Sequence, residues 1–142
     1  MYLLDTNIIS ELRKIPSGKA NRGLARWADG VDADALYLSV ITVQELETGV
    51  LRMERKDPTQ AALFRRWLDV HVLPAFAGRI LPVDLAIAQR SARLHVPDPR
   101  PIQDMLIAAT ALRHGLIVVT RNVRDFSSTG VQICNPFAEI SF

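Results

Sequence analysis

The sequence predicts an α/β domain built on a parallel sheet with helices covering both of its faces. Short apolar runs at 2–4, 36–39 and 116–119 have the length of strands, and segments with helical patterns lie between them. The run at 116–119 is apolar at every position, which is typical of a strand in a sheet that is buried on both sides. The 142 residues suit one domain of this kind, so we expect a single domain over 1–142.

Composition narrows the class of protein. Apolar residues make up 49% of the chain and charged residues 23%, which is usual for a globular domain and excludes a disordered chain or a collagen. The apolar runs are far shorter than the roughly 20 residues of a membrane span, and the start of the chain does not have the pattern of a signal peptide. Cys134 is the single cysteine and cannot form an intramolecular disulfide, so we expect a reducing, cytoplasmic setting.

The first half of the chain alternates strands with short helices. The apolar run at 2–4 leads into Asp5-Thr6-Asn7, which is typical of a helix start because Asp and Asn favour the N-cap. Pro16 and Gly18 interrupt the chain after that helix. The expected elements are a strand at 2–4, a helix at 8–13, a loop at 14–19, a helix at 21–28, a polar turn at 30–34 and a strand at 36–39.

The second half carries the longest helical segments. Pro82 places the strand around it at an edge of the sheet, because proline cannot donate a hydrogen bond to a central ladder. Gly115 follows a nearly all-apolar helix as its C-cap. The expected elements are helices at 42–55 and 58–71, a strand at 79–83, a helix from Asp84 to about Leu94, a rigid loop at 96–101, a helix at 102–114 and strands at 116–120 and 131–133.

Carboxylates follow the first two strands, at the edge of the sheet where ligand sites form. In an open parallel sheet, that edge is made by the carboxyl ends of the strands. Asp5 comes directly after the first strand, and Glu45 lies one turn into the helix after the second. Gly49 lies on the same helical face as Glu45, and a glycine there costs about 1 kcal/mol relative to alanine. Close backbone approach or room for a ligand would explain that cost.

Two further segments bring polar groups to the same edge. Asp104 is in the first turn of the nearly all-apolar helix, and such a helix must be largely buried. The polar segment 120–126 follows an apolar strand, and either Asn122 or Asp125 can face the same pocket. Clustered carboxylates repel one another unless a cation lies between them, and Mg²⁺ and Mn²⁺ prefer oxygen ligands. The sequence therefore predicts a divalent-metal site.

Each of these residues also has a plainer explanation. Asp5 can act as a helix cap only, Glu45 as a surface carboxylate, and Asp104 as an acid favoured by the helix dipole. Three arginines near the acids are candidates for phosphate contacts, although a solvated arginine is the commoner case. They are Arg100, Arg121 and Arg124. The functional interpretation rests on the acids occurring together after separate strands.

Taken in order, the motifs resemble those of PIN-domain nucleases, and specifically the FitB-like branch of the VapC toxins of bacterial toxin–antitoxin pairs. No single motif is decisive, but their order and separations are specific and cover nearly the whole chain. The motifs are Leu3-Leu4-Asp5-Thr6-Asn7, then Ser39, Thr42, Glu45 and Gly49, then Asp104 with 106–111, then Val119-Thr120, Asn122 and Asp125-Phe126, and last Asn135-Pro136-Phe137.

This resemblance implies a fold, an activity and a set of site residues. The fold is a three-layer α/β/α domain with a five-stranded parallel sheet, and the activity is that of a Mg²⁺- or Mn²⁺-dependent endoribonuclease. By motif position, the acidic core is Asp5, Glu45 and Asp104, with Asp5 and Asp104 as direct metal ligands. Thr6 and Thr120 would assist as hydroxyl ligands or by positioning water.

The fourth acid of the family's pattern is where this chain departs from it. Asn122 occupies that position, as in many VapC-like sequences that keep an acid three residues later, and here that acid is Asp125. We expect Asp125 to complete the catalytic set and Asn122 to support it. In the family's mechanism, metal held by carboxylates activates water for in-line attack on a phosphodiester.

The resemblance also implies partners. These are an RNA substrate, a cognate VapB-like antitoxin whose C-terminal segment covers the active site, and a second copy of the chain in a homodimer. Apolar residues of the helices at 42–71 either supply the dimer and antitoxin surface or belong to the core. They are Leu46, Val50, Met53, Leu63, Phe64 and Trp67.

Two other functions remain open. A non-catalytic module of the same fold would only dock to RNA or to an antitoxin, and Asn122 in the place of an acid favours it. A phosphatase of the haloacid-dehalogenase type also places Asp after its first strand, but its chemistry needs a second Asp where this chain has Asn7. Metal-dependent RNA cleavage that requires Asp104 would exclude the first, and hydrolysis of a phosphate monoester would revive the second.

Overall fold

Parallel strands form the sheet at the centre of the computed structural model, which describes residues 1–137; the rest of the expected domain, 138–142, lies outside the described residues. The strands are β1 (Tyr2–Leu4), β2 (Leu36–Ser39), β3 (Ile80–Leu81), β4 (Ile117–Val119) and β5 (Ile133–Cys134). They form one five-stranded sheet in the order β3-β2-β1-β4-β5, and every pair is parallel. The edge position predicted for the strand beside Pro82 is confirmed.

Helices connect the strands. They are α1 (Thr6–Leu12), α2 (Arg22–Gly30), α3 (Val40–Lys56), α4 (Pro58–Arg66), α5 (Leu73–Ala75), α6 (Leu85–Leu94), α7 (Ile102–His114) and α8 (Val123–Phe126). Trp67–Val72, between α4 and α5, is a π-helical segment. In the described part of the chain, none of the helices has both the length and the apolar character to span a bilayer.

The side chains of the central strand point alternately to the two faces of the sheet. Leu4 packs on one face with Val119 and with residues of α1, α2, α3 and the π-helical segment. Leu3 packs on the other face with Val118 and with residues of α7. Both leucines are fully buried. The sheet therefore lies between two helical layers, and the predicted three-layer α/β/α fold with five parallel strands is confirmed.

Capping and strand pairing account for the small differences from the predicted boundaries. α3 begins at Val40 rather than 42 because the Ser39 hydroxyl accepts the N–H of Ile41 at 3.0 Å and caps the helix. β5 begins two residues later than predicted, where Ile133 comes into register with Val118. The helix predicted at 58–71 is α-helical up to Arg66 and π-helical beyond it.

The topology brings the ends of β1 and β4 together. From β1 the chain adds β2 and β3 on one side of the sheet, and then β4 and β5 on the other side. Open parallel sheets form their ligand crevice at the point where the strand order reverses in this way. Leu4 is in register with Val119, so Asp5 and Thr120 leave the sheet side by side. The N–H of Asp5 donates to the carbonyl of Val119 at 2.9 Å, which fixes the start of the crevice.

Candidate active site

Asp5 is the buried centre of the crevice. Its Oδ1 accepts the N–H of Thr6 at 2.8 Å, so it does cap α1. Its Oδ2 accepts the hydroxyl of Thr120 at 2.8 Å and the amide Nδ2 of Asn7 at 3.0 Å. The residue is only 4% exposed. Burial raises the pKa of Asp5, and the three hydrogen bonds act against that rise. Both carboxylate oxygens are thereby fixed in orientation.

Glu45 reaches the crevice from α3. Its Oε1 accepts the Thr6 hydroxyl at 2.6 Å. The side chain is half-buried, and burial raises its pKa; the Thr6 hydrogen bond opposes the rise, and the charge of Asp5 adds to it. Thr6 therefore links two acids, with its backbone N–H on Asp5 and its hydroxyl on Glu45. Glu45 is therefore not a freely solvated surface carboxylate.

Asp104 and Asp125 bring two more charges to the same place. Asp104 is the third residue of α7 and is half-buried. Burial raises its pKa to about 6, and the negative charges of the other acids contribute to the rise. In order of effect, these acids are Asp5, Asp125 and Glu45. Because like charges act on a carboxyl group in this way only when they are near, the fold brings all four predicted acids together.

Asn122 and Asp125, the two candidates for the fourth position, have different surroundings in the turn after β4. Asp125 is half-buried, and its charge acts on both Asp104 and Asp5. The Asn122 side chain is exposed and does not cap α8. Asn122 takes part through its backbone instead, since its N–H donates to the Thr120 hydroxyl at 2.9 Å. Thr120 itself is fully buried.

The three candidate arginines relate differently to the crevice. The backbone N–H of Arg121 donates to Asn7 Oδ1 at 3.1 Å, and its guanidinium lies 5.0 Å from the centre of the Phe137 ring. Arg100 lies exposed in the loop before α7, and Arg124 lies exposed on α8. Within residues 1–137, no ion pair joins any of these arginines to the four acids. Of the three, Arg121 is therefore joined to the crevice, through its backbone, while its guanidinium lies against Phe137.

Asn7 is the site residue that sequence reasoning missed. Its amide nitrogen contacts Asp5 Oδ2 at 3.0 Å and Thr120 Oγ1 at 3.5 Å, while its amide oxygen accepts the N–H of Arg121. Asn7 thus ties the start of α1 to the turn after β4. The signal that could have identified Asn7 is its amide side chain, two residues after the acid that ends the strand. At this position, the sequence pattern indicated only the start of a helix.

The donor set suits a hard divalent cation. Carboxylates and hydroxyls supply only oxygen atoms, which Mg²⁺ and Mn²⁺ prefer. Among the residues that the structure describes, no three carboxylate, imidazole or thiol side chains are close enough to enclose an ion by themselves. Mg²⁺ usually keeps several waters and takes one or two carboxylates together with substrate phosphates. An ion of that kind fits this crevice better than one that needs a complete protein cage.

Known proteins resemble this chain in both sequence and architecture. The family model of the PIN domain matches residues 2–131, a range that contains all four acids. VapC ribonuclease Y4jK of Sinorhizobium fredii is 39% identical over 142 residues, covering 96% of this chain and 98% of that protein. Toxin FitB of Neisseria gonorrhoeae is 38% identical over 147 residues, covering 96% of this chain and 99% of that protein.

Solved structures extend the likeness to the fold. The crystal structure of FitAcB from Neisseria gonorrhoeae aligns with 98% of this chain and 100% of that chain, with a TM-score of 0.87 and 35% identity. A toxin–antitoxin complex from Klebsiella pneumoniae aligns with 96% of this chain and 98% of that chain, with a TM-score of 0.62 and 27% identity.

Proposed function

This chain belongs to the PIN-domain family, and on that premise we propose that it is the toxin of a toxin–antitoxin pair and acts as an endoribonuclease. One observation carries the proposal: four acids from separate segments converge at one edge of the sheet. They are Asp5, Glu45, Asp104 and Asp125. The names of the relatives, a VapC ribonuclease and a toxin, support the same conclusion.

The proposed cofactor is Mg²⁺ or Mn²⁺, held directly by Asp5 and Asp104. The oxygen-only donor set and the mutual repulsion of the acids support this choice. When bound, such an ion supplies a nucleophilic water near neutral pH and neutralises charge on phosphoryl oxygens. Asp5 is already fixed by its three hydrogen bonds, so little reorganisation of this ligand is needed.

The remaining residues have roles in positioning and proton transfer. Glu45 accepts a proton from the attacking water; its raised pKa brings it closer to the pH at which a general base works best. Thr6 holds it at 2.6 Å, and Thr120 holds Asp5. Asp125 adds the fourth negative charge, and Arg121 is the proposed phosphate contact.

Membership of the PIN-domain family also supports the proposed partners. A cognate antitoxin is the protein partner, since the structural neighbours of this chain are toxin–antitoxin complexes. Of the six apolar residues expected either on the partner surface or in the core, Leu46 and Val50 are buried in the core. Leu63 is 61% exposed, and we propose that a homodimer uses this face of α4. The proposed compartment is the cytoplasm, which suits an RNA substrate and the free thiol of Cys134.

Cleavage of total cellular RNA in Mg²⁺, Mn²⁺ and EDTA tests the proposal. We expect the purified chain to cut only with metal, and Asp104→Asn, purified in parallel, to lose most of its rate because it lacks a direct ligand of the ion. Equal cutting by the variant, or cutting in EDTA, would contradict the proposed site. RNA or antitoxin binding without any metal-dependent cutting would indicate the non-catalytic module.

A further inference from the structure

A cleft between α1, α3 and α4 opens directly beside the acids. Its volume is about 330 Å³, at the lower end of the roughly 300–1,000 Å³ that is usual for small-ligand sites. Thr6 and Glu45, which hydrogen-bond to each other in the candidate active site, also line this cleft. A ligand bound in the cleft would therefore lie next to a ligand bound by the acids.

The walls of the cleft combine aromatic and aliphatic surface with two cationic side chains and the carboxylates of Glu11 and Glu45. Phe64 of α4 and Trp67, the first residue of the π-helical segment, are half-buried and line the cleft. Arg13 and Lys14, which follow α1, line it as well, and the Arg13 guanidinium lies 4.3 Å from the centre of the Phe64 ring, so it covers one face of that ring. Lys14 also pairs with Glu11 at 3.0 Å. Aromatic faces for bases and cations for phosphates are how proteins hold single-stranded RNA.

Gly49 leaves one position of the α3 wall without a side chain, while Leu46, Val50 and Met53 of the same helix also line the cleft. It lies four residues after Glu45, on the same face, in the middle of α3. A Cβ atom at this position would meet nothing within 4 Å among the described residues. Packing within the described chain therefore does not require glycine, although glycine costs about 1 kcal/mol relative to alanine in a helix. The open space at this position leaves room for a ligand against the backbone of α3.

We propose that this cleft binds the RNA nucleotide next to the scissile phosphate, with its base between Trp67 and the backbone of α3 at Gly49. The inference rests on the proposed nuclease function and assigns a binding place to the same substrate. Arg13 and Lys14 also line a neighbouring cleft together with Lys19, which gives the adjoining phosphates a basic path.

Tryptophan fluorescence measures this binding without any cleavage. The chain has two tryptophans, and Trp27 packs edge-on against Tyr2, with their ring centres 5.4 Å apart, and does not line the cleft. Trp27→Phe therefore leaves Trp67 as the reporter. We expect the four ribonucleoside 5′-monophosphates, titrated in EDTA, to quench its fluorescence in a saturable way, with unequal affinities for the four bases.

Gly49→Leu in this background fills the cleft, and Gly30→Leu is the matched control. Gly30 also lies in a helix with open space around its Cβ position, and it does not line the cleft. We expect Gly49→Leu to weaken nucleotide binding at least about tenfold, since contact with one aromatic ring contributes that much. Gly30→Leu should bind as the Trp27→Phe parent does. Thermal unfolding should show that both variants are folded.

The possible results separate the two proposals. Equal quenching in both variants would overturn the nucleotide site. An absence of quenching by every nucleotide would overturn it as well. If Gly49→Leu then also escaped inhibition by its antitoxin, the cleft would belong to the antitoxin. A chain that binds nucleotides at Trp67 and never cuts RNA would contradict the nuclease function while leaving the nucleotide site in place.

Discussion

Among single residues, Thr120 shows how a buried hydroxyl orients a carboxylate. It donates to Asp5 Oδ2 at 2.8 Å, and both residues are buried. Thr120→Val keeps the shape of the side chain but removes the donor, so Asp5 loses one partner. We expect the free energy of unfolding at neutral pH to fall by about 1–3 kcal/mol, and RNA cleavage to fall with it. Urea unfolding in EDTA measures the first effect. Thr120→Ser retains the hydroxyl, and a larger loss there than in Thr120→Val would contradict the explanation.

The fourth position of the acidic cluster, which comprises Asp5, Glu45, Asp104 and Asp125, can also be tested at single residues. Asp125 is half-buried and its charge acts on Asp104, whereas the Asn122 side chain is exposed. Asp125→Asn removes a like charge, so we expect the pKa of Asp104 to fall from about 6 towards its usual range, and metal-dependent cleavage to fall. Asn122→Ala should change neither. The Asp104 carboxyl shift, followed by NMR as a function of pH, gives the pKa. A greater loss of cleavage in Asn122→Ala would place the fourth role at that residue.

At the scale of elements, the cap at the start of α3 sets where Glu45 lies. The Ser39 hydroxyl accepts the Ile41 N–H at 3.0 Å, and Asp57 caps α4 in the same way by accepting the Gln60 N–H at 3.1 Å. Loss of either cap should lower the free energy of unfolding by about 1 kcal/mol. Of these two variants, only Ser39→Ala should also slow RNA cleavage, because α3 carries a site acid and α4 does not. Urea unfolding and cleavage rates, measured on Ser39→Ala and Asp57→Ala, check this. Equal cleavage by the two variants would show that the cap does not position Glu45.

Elements that depend on local signals are the ones that the sequence predicted. The apolar runs, the Asp5 cap and the Gly115 C-cap are each visible in a few neighbouring residues, and the structure has them all. The π-helical segment was not predicted, because its buried residues Leu68 and Val72 fit an ordinary helical pattern as well.

The site residues likewise divide into those with a local sequence signal and those without one. The acids were found because each follows a strand or opens a helix. Asn7 was missed because its bonds reach Thr120 and Arg121, which are 113 and 114 positions away in the chain. Contacts of that kind exist only once β1 and β4 are paired, so no pattern within one segment indicates them.

For the whole molecule, the acidic cluster makes stability depend on pH. The pKa of Asp104 is raised from 3.8 to about 6, chiefly by burial, and burial raises the pKa values of Asp5 and Glu45 as well. A carboxyl group with a higher pKa in the folded state stabilises the fold most fully below its unfolded-state pKa, and this contribution is lost as the pH rises through the folded-state pKa. Without metal, the cluster therefore makes the folded chain less stable at about pH 8 than at about pH 5.

A divalent ion should reverse this dependence. The ion binds ionised carboxylates, so its stabilising effect grows as the acids lose their protons. We expect urea unfolding in EDTA to show lower stability at about pH 8 than at about pH 5, and added Mg²⁺ to raise stability more at the higher pH. Asp104→Asn has no carboxyl group to titrate, so both effects should shrink in that variant. Stability in EDTA that rises over this range in the unmodified chain, with Asp104→Asn showing the same rise, would mean that the cluster does not govern the response.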